Sequence, residues 1–370
     1  MKKIVVIGNT LFSLRNFRGP LLLELKTRAE LVCVAPNRNP HIEEWIRSHG
    51  MRFEHVPFAR SGKNPFADLL LTLRFIKLFL REKPSHVLCY TLKPALFGTF
   101  AARLTRVPSI SVLLSGLGFL FTENRARSIV SRVTAWGLKL QMRSVESVIF
   151  QNQDDKDEFE KLGIIDSSTP VHVVSGSGVP LDAFPLRELP LGPPVFLMVS
   201  RFLKDKGFIE FCEAAGRVRD SGKAARFAIL GAPDRDNPAG LSTAECDSLL
   251  QTNGVENWGW HEDVREYLAR SHVFVLPSYR EGTPRSALEA MSMGRALVVS
   301  DVPGCREVVR DGVTGFLCHV RDSASLATQI SRFIDEPSLI SKMGQESRRY
   351  AEERFDVRKV NASMIEALKI

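Results

Sequence analysis

Two glutamates, Glu281 and Glu289, stand eight positions apart in EGTPRSALE, and two cations, Arg201 and Lys206, stand five apart in SRFLKDKG. Carboxylates accept hydrogen bonds from hydroxyl groups, and Arg and Lys neutralise phosphate oxygens. The neighbouring residues say where these groups stand. The apolar run 273–276 predicts a buried strand and 277–283 a polar turn. Thr283 is a candidate N-cap, Pro284 suits the first helical position, and Gly294 suits the helix end. A second strand is predicted at 296–299. Strand, loop, helix and strand in this order build parallel sheets. Glu281 then lies at the C-terminal end of a strand, where open α/β sheets bind ligands, and Glu289 lies on the next helix. The start of that helix suits an anion. Strand 195–199 leads likewise into the loop of Arg201 and Lys206. Such a set can hold an anion beside a hydroxyl-rich group.

The Glu–seven residues–Glu arrangement resembles the motif of the retaining glycosyltransferases of family 4. EGTPRSALEAMSMGRALVVSDVPGCREVVRDGVTGFL is similar to that family over its whole length. The resemblance implies the GT-B fold: two doubly wound Rossmann-like domains, a cleft between them, and a last helix crossing back to the first domain. It also implies roles. Arg201 and Lys206 match the diphosphate-binding GR-x-x-x-x-K pattern, with Ser200 in place of its Gly. Glu281 would bind donor sugar hydroxyls and Glu289 the ribose. Backbone N–H groups of Gly282, Thr283 and Arg285 would face the phosphate. The loop 257–261, with Gly259 and Trp260, resembles the one that meets the nucleobase, although Trp258 and Trp260 equally suit packing. A uracil nucleotide is implied by the subgroup, not by these residues.

The rest of the chain must position this set. At 370 residues it suits two domains. We expect an α/β acceptor-binding, membrane-facing domain over 1–175, a linker over 176–194, a nucleotide-sugar domain over 195–345, and a C-terminal helix over 346–370 packing on the first domain. The linker assignment rests on the Gly and Pro content of SGSGVPLDAFPLRELPLGPP. In the first half, a strand at 3–8 is followed by a polar loop and a helix from Pro20. No G-x-G-x-x-G follows that strand, which disfavours a dinucleotide enzyme. Further strands are predicted at 30–35, 85–90, 109–114, 145–151 and 171–174.

Six cysteines and eight scattered histidines show no metal-ligand spacing, and the cysteines read as buried thiols of a reducing compartment. No run is long enough to span a membrane, and the N-terminus lacks a signal-peptide pattern, so the expected location is the cytoplasm. Charge is uneven. Residues 1–150 carry 23 Lys and Arg against 9 Asp and Glu, a net +14, which leaves −6 for the remainder of the +8 total. A basic half fits nucleic acid, an anionic membrane, a diphosphate, or a plain solvated surface. The predicted helices 67–83 and 124–143 are basic and amphipathic. They read as core helices with a charged face or as a surface for anionic lipid.

YTLKPALFGTFAARLTRVPSISVLLSGLGFLF, SLRNFRGPLL and VPGCRE are similar to a narrower set, bacterial transferases that extend undecaprenyl-diphosphate-linked sugars. That resemblance implies a UDP-sugar donor, a polyprenyl-diphosphate-linked acceptor in surface polysaccharide or O-antigen synthesis, and a peripheral position on the inner face of the plasma membrane. Lys93, Arg15 and Arg18 are its candidates for the lipid diphosphate or the donor, with Ser115 and Gly116 in the acceptor loop. Many family 4 enzymes carry a His in that loop, and this chain has none there. No side chain stands out as a catalytic base. This suits a front-face reaction in which the leaving phosphate takes the acceptor proton. No Asp-x-Asp motif follows a strand, so neither metal nor cofactor is expected. The alternatives are a lipopolysaccharide-core or soluble acceptor, a nucleotide-sugar epimerase, and a basic nucleic-acid-binding protein. For the last, no recognition module appears, so specific nucleic-acid binding is not expected.

Overall fold

Parallel strands need both faces covered, and apolar runs such as VVI, LVCVA, VFVL and ALVV are buried on both. The computed structural model describes residues 2–59, 64–116, 129–234 and 237–370. They fall into two units, one running to Ser177 and taking in Val360–Ile370, the other Gly178–Lys359.

The first unit holds β1 (Lys3–Ile7), α1 (Leu11–Lys26), β2 (Glu30–Ala35), α2 (Pro40–Ser48), β3 (Arg52–His55), α3 (Pro65–Glu82), β4 (His86–Tyr90), α4 (Thr99–Leu104), β5 (Ser109–Leu114), α5 (Ile129–Met142), β6 (Ser147–Phe150), α6 (Gln153–Lys161) and β7 (Val171–Val173). Its parallel sheet has the order β3-β2-β1-β4-β5-β6-β7. Leu71, Phe75, Leu78 and Phe79 of α3 pack with Val87 and Cys89 on one face. Burying those four side chains contributes roughly 6–12 kcal/mol as an upper bound. Leu14, Leu22 and Leu25 of α1 pack with Leu88 and Tyr90 on the other.

The second unit holds β8 (Val195–Val199), α7 (Phe208–Asp220), β9 (Arg226–Leu230), α8 (Thr243–Asn253), β10 (Val255–Asn257), α9 (Arg265–Ala269), β11 (Val273–Leu276), α10 (Arg285–Ser292), β12 (Ala296–Ser300), β13 (Gly315–Cys318), α11 (Ser323–Asp335) and α12 (Ser338–Tyr350). Its parallel sheet has the order β10-β9-β8-β11-β12-β13. The last helix, α13 (Val357–Leu368), carries the chain back into the first unit. Strand order reverses between β1 and β4 in one sheet and between β8 and β11 in the other. Each reversal opens a crevice at the C-terminal edge of its sheet.

Four expectations change. The helix predicted from Pro20 begins at Leu11, so Arg15 and Arg18 are helical and not in a loop. Thr10 caps it, accepting from the Ser13 N–H at 2.9 Å, and Asn37 accepts from the Leu11 N–H at 3.0 Å. The buried stripe Leu11, Leu14, Leu21, Leu22 and Leu25 outweighs the roughly 3 kcal/mol that an internal proline costs. The segment 176–194 is no free linker. From Gly178 it belongs to the second unit. Buried Arg295 donates to the Arg187 and Glu188 carbonyls at 2.9 and 3.1 Å, and the His272 ring bonds the Pro190 carbonyl at 2.9 Å. Side chains satisfy these carbonyls because the Pro-rich segment has no ladder to join. Residues 346–359 also stay with the second unit, since Tyr350, Ala351 and Phe355 are buried in its core. Finally, β3, β10 and β13 were not foreseen: RFEH and VEN are short and polar, and GFLC is only four residues.

All six cysteines are free and buried. Among the described residues no helix is long and apolar enough to cross a membrane. Arg125 and Arg127 of the predicted basic helix, and residues 117–121 of the SGLGFLF loop, lie outside the described residues.

Burial at the start of β4 pushes His86 down from 6.5 to about 4. The folded chain therefore holds the neutral ring. Its contribution is whole above pH 6.5 and is lost as pH falls from 6.5 towards 4, a change on the order of 3 kcal/mol. Thermal unfolding at pH 7.5 and 5.0 checks this. The wild-type midpoint is expected to fall further on acidification than that of His86→Leu; equal falls would remove His86 as the cause.

Candidate active site

Three loops at the strand-order reversal of the second sheet build the site. The loop after β8 makes one 3-10 turn, Lys204–Lys206, and leaves it through Gly207 at φ +74°. A Cβ on Gly207 would stand 2.1 Å from the Pro277 carbonyl oxygen, so only glycine lets this loop lie on the loop after β11. The Tyr279 N–H and Ser278 hydroxyl both donate to the Asp205 carbonyl, at 2.9 and 3.1 Å. The Tyr279 hydroxyl donates to Glu210 at 2.6 Å, and Arg321 lies 4.6 Å over the Tyr279 ring. The loop after β12 closes from the other side. Gly304 has φ +78°, and a Cβ there would meet the carbonyl oxygens of Glu281 and Gly282 at 2.3 and 2.4 Å. The Glu281 N–H donates to the Pro303 carbonyl at 3.2 Å.

These contacts bring Lys206 Nζ to 2.5 Å from Glu281 Oε1, with side chains only 24% and 14% exposed. Burial alone would lower the Lys206 pKa, but the Glu281 charge and hydrogen bond outweigh it and raise it. Glu289 shows the opposite balance. Burial raises its pKa against the opposing pull of Arg285, whose Nε lies 2.9 Å from Glu289 Oε1. Arg285 also donates to the Gly178 carbonyl at 2.5 Å.

Thr283 does not cap α10. Pro284 occupies the cap position with extended backbone, φ −70° and ψ 111°, so the first helical residue is Arg285. Proline has no side-chain acceptor, and the Thr283 hydroxyl donates instead to the Gly282 carbonyl at 3.0 Å. The helix thus starts beside the Lys206–Glu281 pair with no side-chain cap, the arrangement that favours an anion there. Arg201 and Lys206 take separate carboxylates: Arg201 is half exposed and pairs with Asp234 at 2.5 Å.

Gly259, at φ +74°, accepts from the Gly231 N–H at 2.7 Å and so ties its loop to the end of β9. Trp258 is a packing residue, bonded to Glu256 at 3.0 Å with Arg270 4.7 Å over its ring. Trp260 is 64% exposed.

In the first unit Lys93 follows β4, at that sheet's own reversal, and pairs with Asp68 of α3 at 2.8 Å. Arg15 is half-buried on α1. Arg18 is 3% exposed, with its guanidinium 4.8 Å over the Tyr90 ring, so it packs on β4 instead of presenting a surface cation. Ser115 and Gly116 follow β5 and are half-buried. Sequence reading missed Asp234, Glu210, Tyr279 and Asp68. For Tyr279 the glycine of KDKG was the available signal, because it marks a close approach to the loop after β11.

Comparison with known proteins matches residues 193–336 to the model "Glycosyl transferases group 1" and residues 13–152 to "Glycosyl transferase 4-like". A Bacillus subtilis (strain 168) protein named as a glycosyltransferase, EpsD, is 36% identical over 95% of this chain and 92% of its own. The N,N'-diacetylbacillosaminyl-diphospho-undecaprenol alpha-1,3-N-acetylgalactosaminyltransferase of Campylobacter jejuni is 28% identical over 88% of each chain. Among solved structures, Anabaena HepE in complex with UDP superposes with a TM-score of 0.80 at 17% identity, covering 100% of both chains. The two doubly wound sheets are those of the GT-B fold.

Gly207→Ala and Gly304→Ala test the loop clamp against Gly312→Ala, whose φ is also positive (+73°) but whose Cβ would meet nothing within 4 Å. Urea unfolding is expected to show a loss of about 1–2 kcal/mol for Gly312→Ala, from backbone strain alone, and about 1–3 kcal/mol more for the other two. Equal losses at all three would show that the close approaches carry no weight.

Proposed function

This chain is a member of the group 1 glycosyl transferases, and from that premise we propose that it transfers a sugar from UDP to an undecaprenyl-diphosphate-linked saccharide, with retention as in family 4. The observation that carries the reading is the Lys206–Glu281 pair beside an uncapped helix start at the strand-order reversal. Lys206 and the first-turn N–H groups of α10, with Gly282 and Thr283 ahead of them, take the donor diphosphate. Arg201 joins them by exchanging Asp234 for phosphate. Glu281 accepts from donor sugar hydroxyls and Glu289 from the ribose, while Gly259 and Trp260 meet the base. As the anomeric C–O bond to the phosphate breaks, the acceptor oxygen bonds the same face of the sugar, and its proton passes to the departing phosphate oxygen. The chain then supplies charge stabilisation and positioning, with no protein base.

UDP is the nucleotide held by the Anabaena structure of this fold, and an undecaprenol-linked acceptor is named for the Campylobacter relative. An N-acetylhexosamine or a hexose is the expected sugar. Peripheral binding to the inner face of the plasma membrane is supported by the first unit, where α3, α4 and α5 cover one sheet face. They expose Phe66, Leu69, Leu73, Leu104, Val133 and Trp136 beside the exposed cations Lys77, Arg103 and Arg132. Apolar groups flanked by cations fit an anionic bilayer.

Labelled UDP-hexoses and UDP-N-acetylhexosamines, offered with a polyprenyl-diphospho-sugar, test the reaction, with product anomer read by NMR. Transfer with retention is expected; inversion, or transfer only to soluble acceptors, would replace the reading. Lys206→Ala and Glu281→Gln are each expected to lower kcat about 10²–10³-fold with folding intact. Co-sedimentation with phosphatidylglycerol vesicles checks the membrane face. Binding is expected to drop for the double variant Leu69→Asp, Leu73→Asp and to weaken with salt; unchanged binding would place the contact elsewhere.

A further inference from the structure

The reaction proposed above uses the backbone N–H of Arg285 and gives its side chain no part. That side chain is 16% exposed and lies one turn ahead of Glu289, itself 15% exposed. Its Nε donates to Glu289 Oε1 at 2.9 Å, and its Nη1 donates to the Gly178 carbonyl at 2.5 Å. One planar group thus ties the carboxylate to a backbone oxygen from a distant part of the chain. Gly178 is itself held in place. It has φ +65°, and a Cβ there would stand 2.6 Å from Val357 Cα. The next residue is bonded in both directions. The Val179 N–H donates to the Phe355 carbonyl at 2.7 Å, and the Val357 N–H donates to the Val179 carbonyl at 3.1 Å.

On an open helix face an Arg and a Glu four apart interact weakly. Here both are inside, and the consequences are larger. Burial raises the Glu289 pKa, and Arg285 opposes the rise, while Asp263, ahead of α9, adds to it. Of the other elements packed on α10, β11 and β12 carry no charge. In α12 and the turn after it, Arg348 pairs with Glu352, Glu353 with Arg310, and Arg354 with Glu307. Arg285 is therefore the cation that acts on Glu289 among the described residues. A carboxylate accepts hydrogen bonds more strongly than its protonated form. A vicinal diol also needs both carboxylate oxygens aimed, and the Nε bond fixes the plane in which they lie. Arg285 thus bears on the charge of Glu289 and on its direction.

We infer that the Arg285 guanidinium is the positioning residue that sets ribose specificity: anchored on the Gly178 carbonyl, it holds Glu289 for the 2′ and 3′ hydroxyls of the donor nucleotide. The inference rests on the ribose role proposed above for Glu289.

Calorimetric titration with UDP and with 2′,3′-dideoxy-UDP, between pH 8 and pH 6, tests it. The ratio of the two affinities cancels the titration of the diphosphate, which both share. The wild type is expected to favour UDP about a hundredfold, from two hydrogen bonds to a charged acceptor. Arg285→Met keeps the backbone N–H and is expected to cut this ratio about tenfold. It is also expected to move the fall of the ratio on acidification to higher pH, since Glu289 loses the cation that opposes its protonation. Arg285→Lys restores the charge without the fork, and is expected to return the pH profile while leaving the ratio about threefold low. Adding Glu289→Gln to Arg285→Met is expected to abolish the pH dependence of the ratio. An equal loss of UDP and dideoxy-UDP binding in Arg285→Met marks the arginine as structural only and overturns the inference. If Arg285→Met does not fold, Arg285→Lys decides, and a wild-type ratio there overturns it. Equal binding of both nucleotides by the wild type sinks the ribose role of Glu289. A wild-type preference that neither variant changes sinks this inference and spares that role.

Discussion

The Lys206–Glu281 pair is the interaction around which the second unit's loops are arranged. Burial pulls the Lys206 pKa down, and the carboxylate beside it outweighs that pull. Its position is not local. Gly207 must admit the Pro277 carbonyl, Gly304 must admit the carbonyls of Glu281 and Gly282, and the Asp205 carbonyl must receive two donors from the facing loop. Three loops from three neighbouring strands therefore share one constraint, and loosening any of them moves the pair.

The charge balance says what the site can hold. Lys206 and Arg285 are matched by Glu281 and Glu289, which leaves the inner cluster neutral. The pull on an anion then comes from the uncapped start of α10 and from Arg201, which is half exposed and able to leave Asp234. The first unit repeats the device at Lys93 and Asp68. In both units a cation at the strand-order reversal is held by a carboxylate, so that it does not stand open to every anion in solution.

Packing explains why some cations of the basic first half have other duties. Arg18 spends its guanidinium on the Tyr90 ring, and Arg81 pairs with Glu54 and Glu82. The outer side of α3 is less polar than its Arg and Lys content suggests, because Phe66, Leu69 and Leu73 stand among them.

The sequence by itself determined the parallel α/β class, the two-unit plan and the placing of Glu281, Glu289 and Lys206 at one sheet edge. Apolar runs buried on both faces fit parallel strands, and the loops at their C-terminal ends meet at one edge, so element order placed Glu281, Glu289 and Lys206 there, while their roles came from the family resemblance. Tertiary structure decided the rest. Arg201 and Lys206, five apart in sequence, turned to different carboxylates because Asp234 and Glu281 arrive from different strands. Thr283 lost the cap position through the backbone angle of Pro284, and α1 began nine residues before its proline because Thr10 and a leucine stripe overrode it. Residues 346–359 stayed with the second unit because Tyr350 and Phe355 found their core there. Periodicity and spacing fix what a segment is; which charge meets which depends on strand order, and strand order is set by the burial of the whole sheet.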